Sequence, residues 1–471
     1  MTSDELCWTP ASELAGLIRR KKVSPVEVVR ATLDRIAKMN PKLNAFVTLT
    51  GDEAMREARA AERALTRRRP ALGPLHGVPF GVKDLVITHG VRTTFGTPLY
   101  RDNVPTEDAP IVERLKAAGA IMLGKTNTPT LGWIGATHNL VFGVTRNPWN
   151  LDRTPGGSSG GASAAVAAGL APLHVGTDGG GSIRIPAAFA GIFGFKPSYG
   201  RIPTYPPSGG WSLSHVGPMT RTVRDAALMM NACAGPDERD QYSLPADATD
   251  YVKAIGGGIK GLRVAYADDL GWTEALHPEV RAACAKATRA FRELGCRVDT
   301  VKPGWPSPQD CWEQTFVGGL GIRLAPYLAE RRADIDPGLL PFVEQALAQG
   351  PTRYVQAWFD RLAWGSHPRA LFEKYDLLLT PTVACPPFAA NLDTPPDVAD
   401  TRVSFYGWLP YTFPFNMTGQ PAASVPCGFT RGGLPIGLQV VGRRHADATV
   451  LRSCAAFERA RPCAAVRPQM D

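Results

Sequence analysis

The sequence predicts an α/β fold in which helices connect the strands of a sheet. Two short apolar runs, Val78–Val82 and Ala120–Leu123, have the length and composition of buried strands. The segment Ala109–Ala118 between them predicts a helix that ends at Gly119. Strands that alternate with helices in this way usually belong to one sheet with helical crossovers.

The N-terminal part of the chain is predicted to be helical. Residues 12–39 predict two helices, and Asp52–Arg68 predicts a third. Ser24 and Pro25 are suited to the N-cap and the first position of the second helix. We expect residues 1–70 to form a helical cover on the same domain as a core spanning 71–471, because no Ser/Pro-rich linker or block of charge separates the motifs.

The rest of the chain adds further elements and one variable region. Strands are predicted at Leu262–Ala265, Asp376–Thr380, Ala423–Pro426 and Gly437–Val441, and helices at Pro278–Leu294 and Gly338–Gln349. The region 237–372 contains several large aromatic residues: Trp312, Phe316, Trp358, Phe359 and Trp364. They are typical of core packing, and the alternative is that some of them form the walls of a substrate pocket.

The segment Thr154–Pro197 contains two glycine-flanked serine turns joined by an alanine-rich run that predicts a buried helix. So many adjacent glycines indicate backbone with positive φ or in close contact with a ligand. In the second turn the Ser182 hydroxyl can be exposed while neighbouring N–H groups converge on one point, as in an oxyanion hole. The donors predicted for this hole are the backbone N–H groups of Gly179, Gly180, Gly181 and Ser182.

Asp178 and Arg184 lie on either side of Ser182. They are expected to form an ion pair that supports the loop. The alternative is that Arg184 binds a substrate carboxylate.

A serine hydroxyl needs a base to become a good nucleophile, and neither turn contains a histidine. Lys83 is the candidate, because it ends the apolar run of the first predicted strand. To act as a base near neutral pH, its pKa would have to fall by about 3 units from about 10.4 through burial.

Two other motifs fit this segment less well. Gly156–Gly160 satisfies the GxSxG pattern around Ser158, which marks the nucleophile of α/β-hydrolases and requires a downstream histidine. His215, His277, His367 and His445 all lie downstream, but Arg153–Pro155 is a poor candidate for the strand that should come directly before the serine. A phosphate-binding loop is also disfavoured, since Ile183 and Arg184 follow the second turn in place of lysine and a hydroxyl residue.

Motifs along nearly the whole chain resemble those of the amidase signature hydrolases. They are GVPFGVKDL, LGKTNTP, TRNPWN, TPGGSSGG, GTDGGGSIRIPAAFAGIFGFKPSYGRIP, GPMTRTVRDAA, YDLLLTPT and TGQPAASVPCGF. The resemblance implies a large mixed central β-sheet covered by helices on both faces. It also implies a catalytic triad of Lys83, Ser158 and Ser182, with a cis peptide bond before Ser158.

The resemblance implies an amidohydrolase that converts a linear carboxylic acid amide to the acid and ammonia or an amine through a seryl acyl-enzyme. No metal or other cofactor is expected. The alternative is the glutaminase subunit of a tRNA-dependent amidotransferase, which carries an acidic residue shortly before its TxPxN motif to bind the amino group of glutamine. The matching segment here, Trp408–Asn416, is uncharged, so an ammonium group would be buried without a partner.

Composition indicates an ordinary soluble globular protein, with 471 residues of which 44% are hydrophobic and 20% charged. The net charge of +9 is scattered, and Arg67–Arg69 and Arg443–Arg444 lack interleaved aromatic residues, so direct nucleic-acid binding is not expected. The longest uncharged stretch is broken by glycines and disfavours a membrane span.

The cellular location and assembly are predicted only broadly. Nine cysteines without CxxC spacing, together with an N-terminus unlike a signal peptide, favour reduced thiols and a cytoplasmic location. The expected partner is a small-molecule amide, and a homodimer is compatible with the resemblance.

Overall fold

The computed structural model of the protein describes residues 1–67, 72–208 and 210–470. Three sequence predictions therefore lie outside the described residues. They are the end of the third helix at Arg68, the part of the basic run formed by Arg68 and Arg69, and the division between residues 70 and 71.

Helices surround a sheet in the described part of the chain. The helices are α1 Ser3–Trp8, α2 Ala11–Arg19, α3 Pro25–Leu43, α4 Gly51–Ala64, α5 Pro110–Ala117, α6 Gly160–Ala167, α7 Arg184–Ala190, α8 Val223–Cys233, α9 Tyr251–Ala254, α10 Pro278–Glu293, α11 Gln309–Leu324, α12 Leu340–Trp364, α13 Ser366–Lys374, α14 Pro414–Met417 and α15 Asp447–Ala460.

The strands are β1 Phe46–Leu49, β2 Pro79–Lys83, β3 Ile121–Thr126, β4 Leu173–Asp178, β5 Phe193–Lys196, β6 His215–Thr220, β7 Arg263–Tyr266, β8 Arg297–Thr300, β9 Leu377–Pro381, β10 Asp397–Val398, β11 Thr401–Arg402, β12 Ala422–Phe429 and β13 Pro435–Gly442. Within the described ranges, eleven of them form one sheet in the order β1-β3-β2-β4-β6-β5-β12-β13-β9-β7-β8. The sheet is mixed: β2 pairs in parallel with β3 and β4, whereas β4 and β6 are antiparallel.

The six predicted strands are all present, displaced by one to three residues at their ends. Of the strands in the large sheet, the sequence analysis missed β1, β4, β5, β6 and β8, which are short or contain glycine and proline. The predicted helix Gly338–Gln349 is the first part of the longer α12, in which Gly350 has a φ of 75° and Pro351 follows. Proline cannot donate the helical hydrogen bond, so the helix is kinked there.

The N-terminal helices cover one end of the sheet. The predicted cap of α3 is confirmed: the Ser24 hydroxyl accepts the Val26 N–H at 2.9 Å, and the Glu27 carboxylate accepts the Ser24 N–H at 2.8 Å. This reciprocal pair satisfies two donors that a helix start would otherwise leave free. No helix among the described residues has both the length and the apolar character needed to cross a bilayer.

Two features of this fold position the site. Because β2 and β4 are parallel neighbours, with Val82 paired to Val175, their C-terminal residues Lys83 and Asp178 lie at the same edge of the sheet. Helix α6, built of glycine, alanine, serine and one valine, is buried along its whole length. Its small side chains allow it to pack closely against β2, β3, β4 and α7, so that the two glycine turns lie together.

Candidate active site

Lys83 is fully buried at the end of β2. Its Nζ donates to the Ser158 Oγ at 2.6 Å and to the Thr177 Oγ1 at 2.9 Å. No carboxylate lies within ion-pair distance of this lysine in the described part of the chain. Burial lowers its pKa well below the ordinary value, and the charge of Asp178 opposes this shift only in part. Burial therefore shifts the protonation equilibrium of Lys83 towards the neutral amine, which is the form that can accept a proton.

Ser158 and Ser182 lie in the two glycine turns, one before α6 and one before α7. The peptide bond between Gly157 and Ser158 is cis, as the family resemblance implies. The Ser182 carbonyl accepts the Ser159 N–H at 3.2 Å, which ties the turns together. Both serine side chains line a cavity of about 440 Å³.

The second turn is held by the residues around it. The Trp312 Nε1 donates to the Gly179 carbonyl at 3.2 Å, and the Thr412 hydroxyl donates to the Gly180 carbonyl at 2.7 Å. The N–H and C=O of a trans peptide point in opposite directions, so these bonds fix where the following N–H groups point.

One predicted oxyanion donor is already used. The Gly181 N–H donates to the Asp178 Oδ1 at 2.7 Å, so it is not free to bind an oxyanion in this structure. The N–H groups of Gly179, Gly180 and Ser182 have no acceptor among the described residues. The predicted role of the Gly181 N–H therefore does not fit this structure, because the aspartate shortly before it accepts that hydrogen, and the other three N–H groups stay predicted donors.

Asp178 and Arg184 form a buried ion pair, with the Nε donating to Oδ2 and the Nη2 to Oδ1, both at 2.9 Å. Both side chains are fully buried. Burial alone would raise the Asp178 pKa, but the charge and hydrogen bonds of Arg184 outweigh it and hold that pKa below its usual range. The alternative in which Arg184 binds a substrate carboxylate is excluded, since the residue does not reach the cavity.

The residues that complete this network were not predicted from the sequence. The Asn416 side-chain amide donates to Asp178 Oδ1 at 2.8 Å and its oxygen accepts from Arg184 at 2.6 Å. The Gln439 side-chain oxygen accepts from Arg184 at 2.7 Å. These residues lie more than 230 positions away in sequence, and the only local signal was that Asn416 ends the segment compared with the TxPxN motif.

The cavity wall is largely apolar. Leu85, Leu131, Phe316 and Leu320 contribute to it, so Phe316 is one of the aromatic residues that forms a pocket wall. No carboxylate is among the residues that line it within the described ranges, and Arg323 is its one arginine or lysine. The Arg323 guanidinium lies 4.9 Å from the centre of the Phe95 ring.

The GxSxG interpretation fails in this structure, because the residues directly before Ser158 form no strand. Of the four downstream histidines only His215 lines the cavity. Its Nδ1 lies 2.9 Å from the Leu213 carbonyl, and burial lowers its pKa well below the ordinary value, aided by the charge of Lys196. In the described residues, no group of three or more His, Cys, Asp or Glu side chains is arranged to hold a metal ion.

Comparison with known proteins gives the family. The amidase family model matches residues 27–451. The chain belongs to the amidase signature family. An acylamidase from Rhodococcus erythropolis is 41% identical over 99% of this chain and 98% of its own length. A glutamyl-tRNA(Gln) amidotransferase subunit from Moorella thermoacetica is 38% identical over 99% of both chains.

The fold of this amidase signature protein is also that of solved members. The crystal structure of a bacterial aryl acylamidase of the same family superposes with a TM-score of 0.91, at 36% identity, over 98% of this chain and 99% of that one. The mixed sheet with helices around it is therefore the family fold, and the Lys83–Ser158 contact lies within it.

Proposed function

We propose that this protein hydrolyses linear carboxylic acid amides through an acyl-enzyme formed on Ser182. The observation that carries the proposal is the contact between a fully buried lysine amine and the Ser158 hydroxyl, 2.6 Å apart, beside a second serine in the same cavity. A desolvated neutral amine is a base, and a serine needs a base to attack a carbonyl. Membership of the amidase family supports the same reaction.

In the proposed reaction, neutral Lys83 takes the Ser158 proton while Ser158 takes the proton of Ser182. The Ser182 Oγ then attacks the carbonyl carbon of the amide. The carbonyl oxygen becomes an oxyanion held by the free N–H groups, and each such donor contributes about 3 kcal/mol to the transition state. The proton held by Lys83 returns through Ser158 to the departing amine. In the second half of the reaction a water molecule loses a proton to the same relay and attacks the carbonyl of the acyl-enzyme, which releases the acid and restores Ser182.

The substrate we propose has an apolar or aromatic part. The cavity wall is largely apolar, with leucine, phenylalanine, proline, valine and isoleucine side chains among the residues that form it, which favours a substrate of this kind. Relatives named as an acylamidase and an aryl acylamidase support this class. No metal or cofactor takes part in the reaction as proposed.

The alternative, a glutaminase subunit of a tRNA-dependent amidotransferase, is supported by the relatives that bear the amidotransferase name. It is disfavoured because the α-ammonium of glutamine would have no carboxylate partner in the described cavity wall. Ammonia release from a panel of aliphatic, aryl and amino-acid amides distinguishes the two. If the protein hydrolysed glutamine, and did so only when partner proteins were added, the proposal of a stand-alone enzyme would be contradicted.

Labelling with a fluorophosphonate tests the nucleophile. Ser182→Ala should abolish both labelling and turnover. Ser158→Ala should leave slow acylation, because Ser182 can still be deprotonated directly. Mass spectrometry identifies the modified serine, and a label on Ser158 with Ser182 unmodified would refute the assignment.

We also propose that the enzyme is cytoplasmic and acts without nucleic acid or a membrane, as a monomer or homodimer. Residues 1–70 are proposed to form a cover on the core, which spans residues 71–471. All nine cysteines are free thiols, which supports a reducing compartment. Light scattering measures the oligomeric state.

A further inference from the structure

A second cavity, of about 830 Å³, lies behind the catalytic one. We call it the arginine cleft; it lies between the end of α12, helix α13 and the segments 417–420 and 443–444. A thin wall separates the two cavities: Ser212 lies on the cleft side, whereas Ser214 and His215 line the catalytic cavity. Tyr199 on the cleft side contacts the His215 ring, with 5.4 Å between the ring centres. The cleft is therefore adjacent to the proposed site but separate from it.

The lining of the cleft is strongly cationic. Four arginines and one acidic residue contribute to it: Arg361, Arg369, Arg443, Arg444 and Glu373. Glu373 pairs with Arg369 at 3.0 Å, and Asp376 pairs with Arg443 at 3.1 Å. Arg361 and Arg444 have no carboxylate partner in the described part of the chain. The cleft thus carries two uncompensated positive charges.

Arg361 is the unusual member, because only 6% of its surface is exposed. Its Nε donates to the Met417 carbonyl at 2.8 Å and its Nη1 to the Ser212 hydroxyl at 2.7 Å. Its Nη2 donates to the carbonyls of Ser212 and Asn416 at 3.3 and 3.5 Å. All of these acceptors are neutral.

A guanidinium group has five N–H donors, so one N–H on Nη1 is left without an acceptor among the described residues. Burial lowers the pKa of Arg361 to about 10, which keeps it protonated at neutral pH. The Arg361 guanidinium lies 4.8 Å from the centre of the Trp358 ring, and this cation–π contact offsets part of the cost of burying the charge. A buried cation without a counter-charge is still costly, and an anion bound in the cleft would reduce that cost further.

The cleft also has an apolar side. Leu362, Phe372 and Met417 line it, and 71% of the Leu362 surface is exposed. An inorganic anion would not cover these side chains, whereas a carboxylate joined to an apolar body would. We propose that the arginine cleft binds an organic carboxylate, with its charged end on Arg361 and Arg444 and its apolar body on Leu362 and Met417. This proposal does not depend on the catalytic roles assigned above.

Crystals soaked with 4-bromobenzoate test the location. Anomalous scattering from bromine should appear in the arginine cleft, whether or not the catalytic cavity is also occupied. Bromine absent from the cleft would overturn the proposal.

Calorimetry on the purified protein tests the chemistry. Benzoate should bind more tightly than neutral benzyl alcohol, which is not an amide, and than inorganic phosphate, and its affinity should fall as salt rises. Arg444→Gln should weaken benzoate binding about tenfold, because it removes one charge-assisted hydrogen bond to the carboxylate. The substitution should not disturb the fold, since Arg444 is exposed and has no partner among the described residues.

Arg431→Gln is the matched control, because this arginine is exposed and lies outside the cleft. It should leave benzoate binding unchanged. Equal binding of benzoate and benzyl alcohol, equal binding of benzoate and phosphate, or unchanged benzoate affinity in Arg444→Gln would each refute the assignment. Because these measurements do not use turnover, they stand or fall separately from the proposed amide hydrolysis.

Discussion

Replacing Lys83 by methionine separates the proposed catalytic role of the amine from the cost of its burial to folding. Methionine keeps the unbranched apolar stem, so the buried volume changes little. It removes the amine that contacts Ser158 and Thr177. General-base catalysis contributes about 10²–10⁴-fold, so we expect the acylation rate to fall by at least this factor.

The effect on stability follows from the lowered pKa of Lys83. An unfolded chain protonates this amine below its ordinary pKa of about 10.5, whereas the folded chain does so only well below that value. Between the two pKa values the unfolded state holds one more proton, so the free energy of unfolding falls as pH falls. The slope for one proton is about 1.4 kcal/mol per pH unit.

Lys83→Met removes this slope. Its stability relative to the parent should therefore rise by about 1.4 kcal/mol for each unit of pH lowered through the window between the two pKa values. The two lost hydrogen bonds destabilise the variant by about 1 kcal/mol each. Removing a desolvated amine stabilises it and offsets this loss. We therefore expect the variant to be at least as stable as the parent at pH 7. Other buried groups titrate equally in both proteins and cancel in the difference.

Urea denaturation from pH 6.5 to 10 measures the difference, and amide turnover is measured in parallel. Lys125→Met is the control, because this lysine is fully buried one strand away, has a pKa lowered by burial to about 8 and lies outside the cavity. Its slope should appear only above about pH 8, and it should retain turnover. Parallel stability curves for Lys83→Met and the parent, or near-normal turnover of Lys83→Met, would refute the reasoning.

Three further predictions concern the surroundings of the nucleophile. Gly181→Ala should lower the stability by several kcal/mol and remove most of the activity, because the φ of Gly181 is +132° and a Cβ there would lie 2.5 Å from a threonine hydroxyl. Thermal denaturation measures the effect, and Gly258→Ala is the control because a Cβ at Gly258 would meet no atom within 4 Å. Asp178→Asn should destabilise the protein by about 3–5 kcal/mol at neutral pH by leaving Arg184 buried without a counter-charge. Since the Asp178 pKa is lowered, the parent should lose this stability as pH falls towards that pKa, and denaturation curves insensitive to acid would contradict the prediction. His215→Gln should reduce turnover less than tenfold and leave the alkaline rise in activity intact, and an inactive variant would point to a histidine base.

The pH dependence of activity provides a further check on the base. If the neutral amine of Lys83 is the working form, turnover should rise with pH through the lowered pKa and stay high in the alkaline range. A bell-shaped profile that falls again above pH 8 would contradict a lysine base.

Local sequence patterns were enough to predict the segments that hold the proposed catalytic residues. The apolar run ending in a lysine predicted β2 with Lys83 at its end, and the clustered glycines predicted the turns that hold Ser158 and Ser182. The alanine-rich run between them predicted α6. These predictions succeeded because strand burial, turn conformation and helix capping depend on residues close together in the chain.

Other elements depended on contacts that no local pattern encodes. Strands β5 and β6 were missed because they are short and interrupted by glycine or proline, and their place in the centre of the sheet comes from pairing with β4 and β12. Lys83 meets Ser158 across 75 positions, and Asp178 meets Asn416 across 238. The sequence by itself determined which residues could be nucleophile, base and loop support. Only the tertiary structure decided that Asn416 completes the network around Asp178 and that Arg361 is buried without a carboxylate partner among the described residues, because both depend on contacts between segments far apart in the chain.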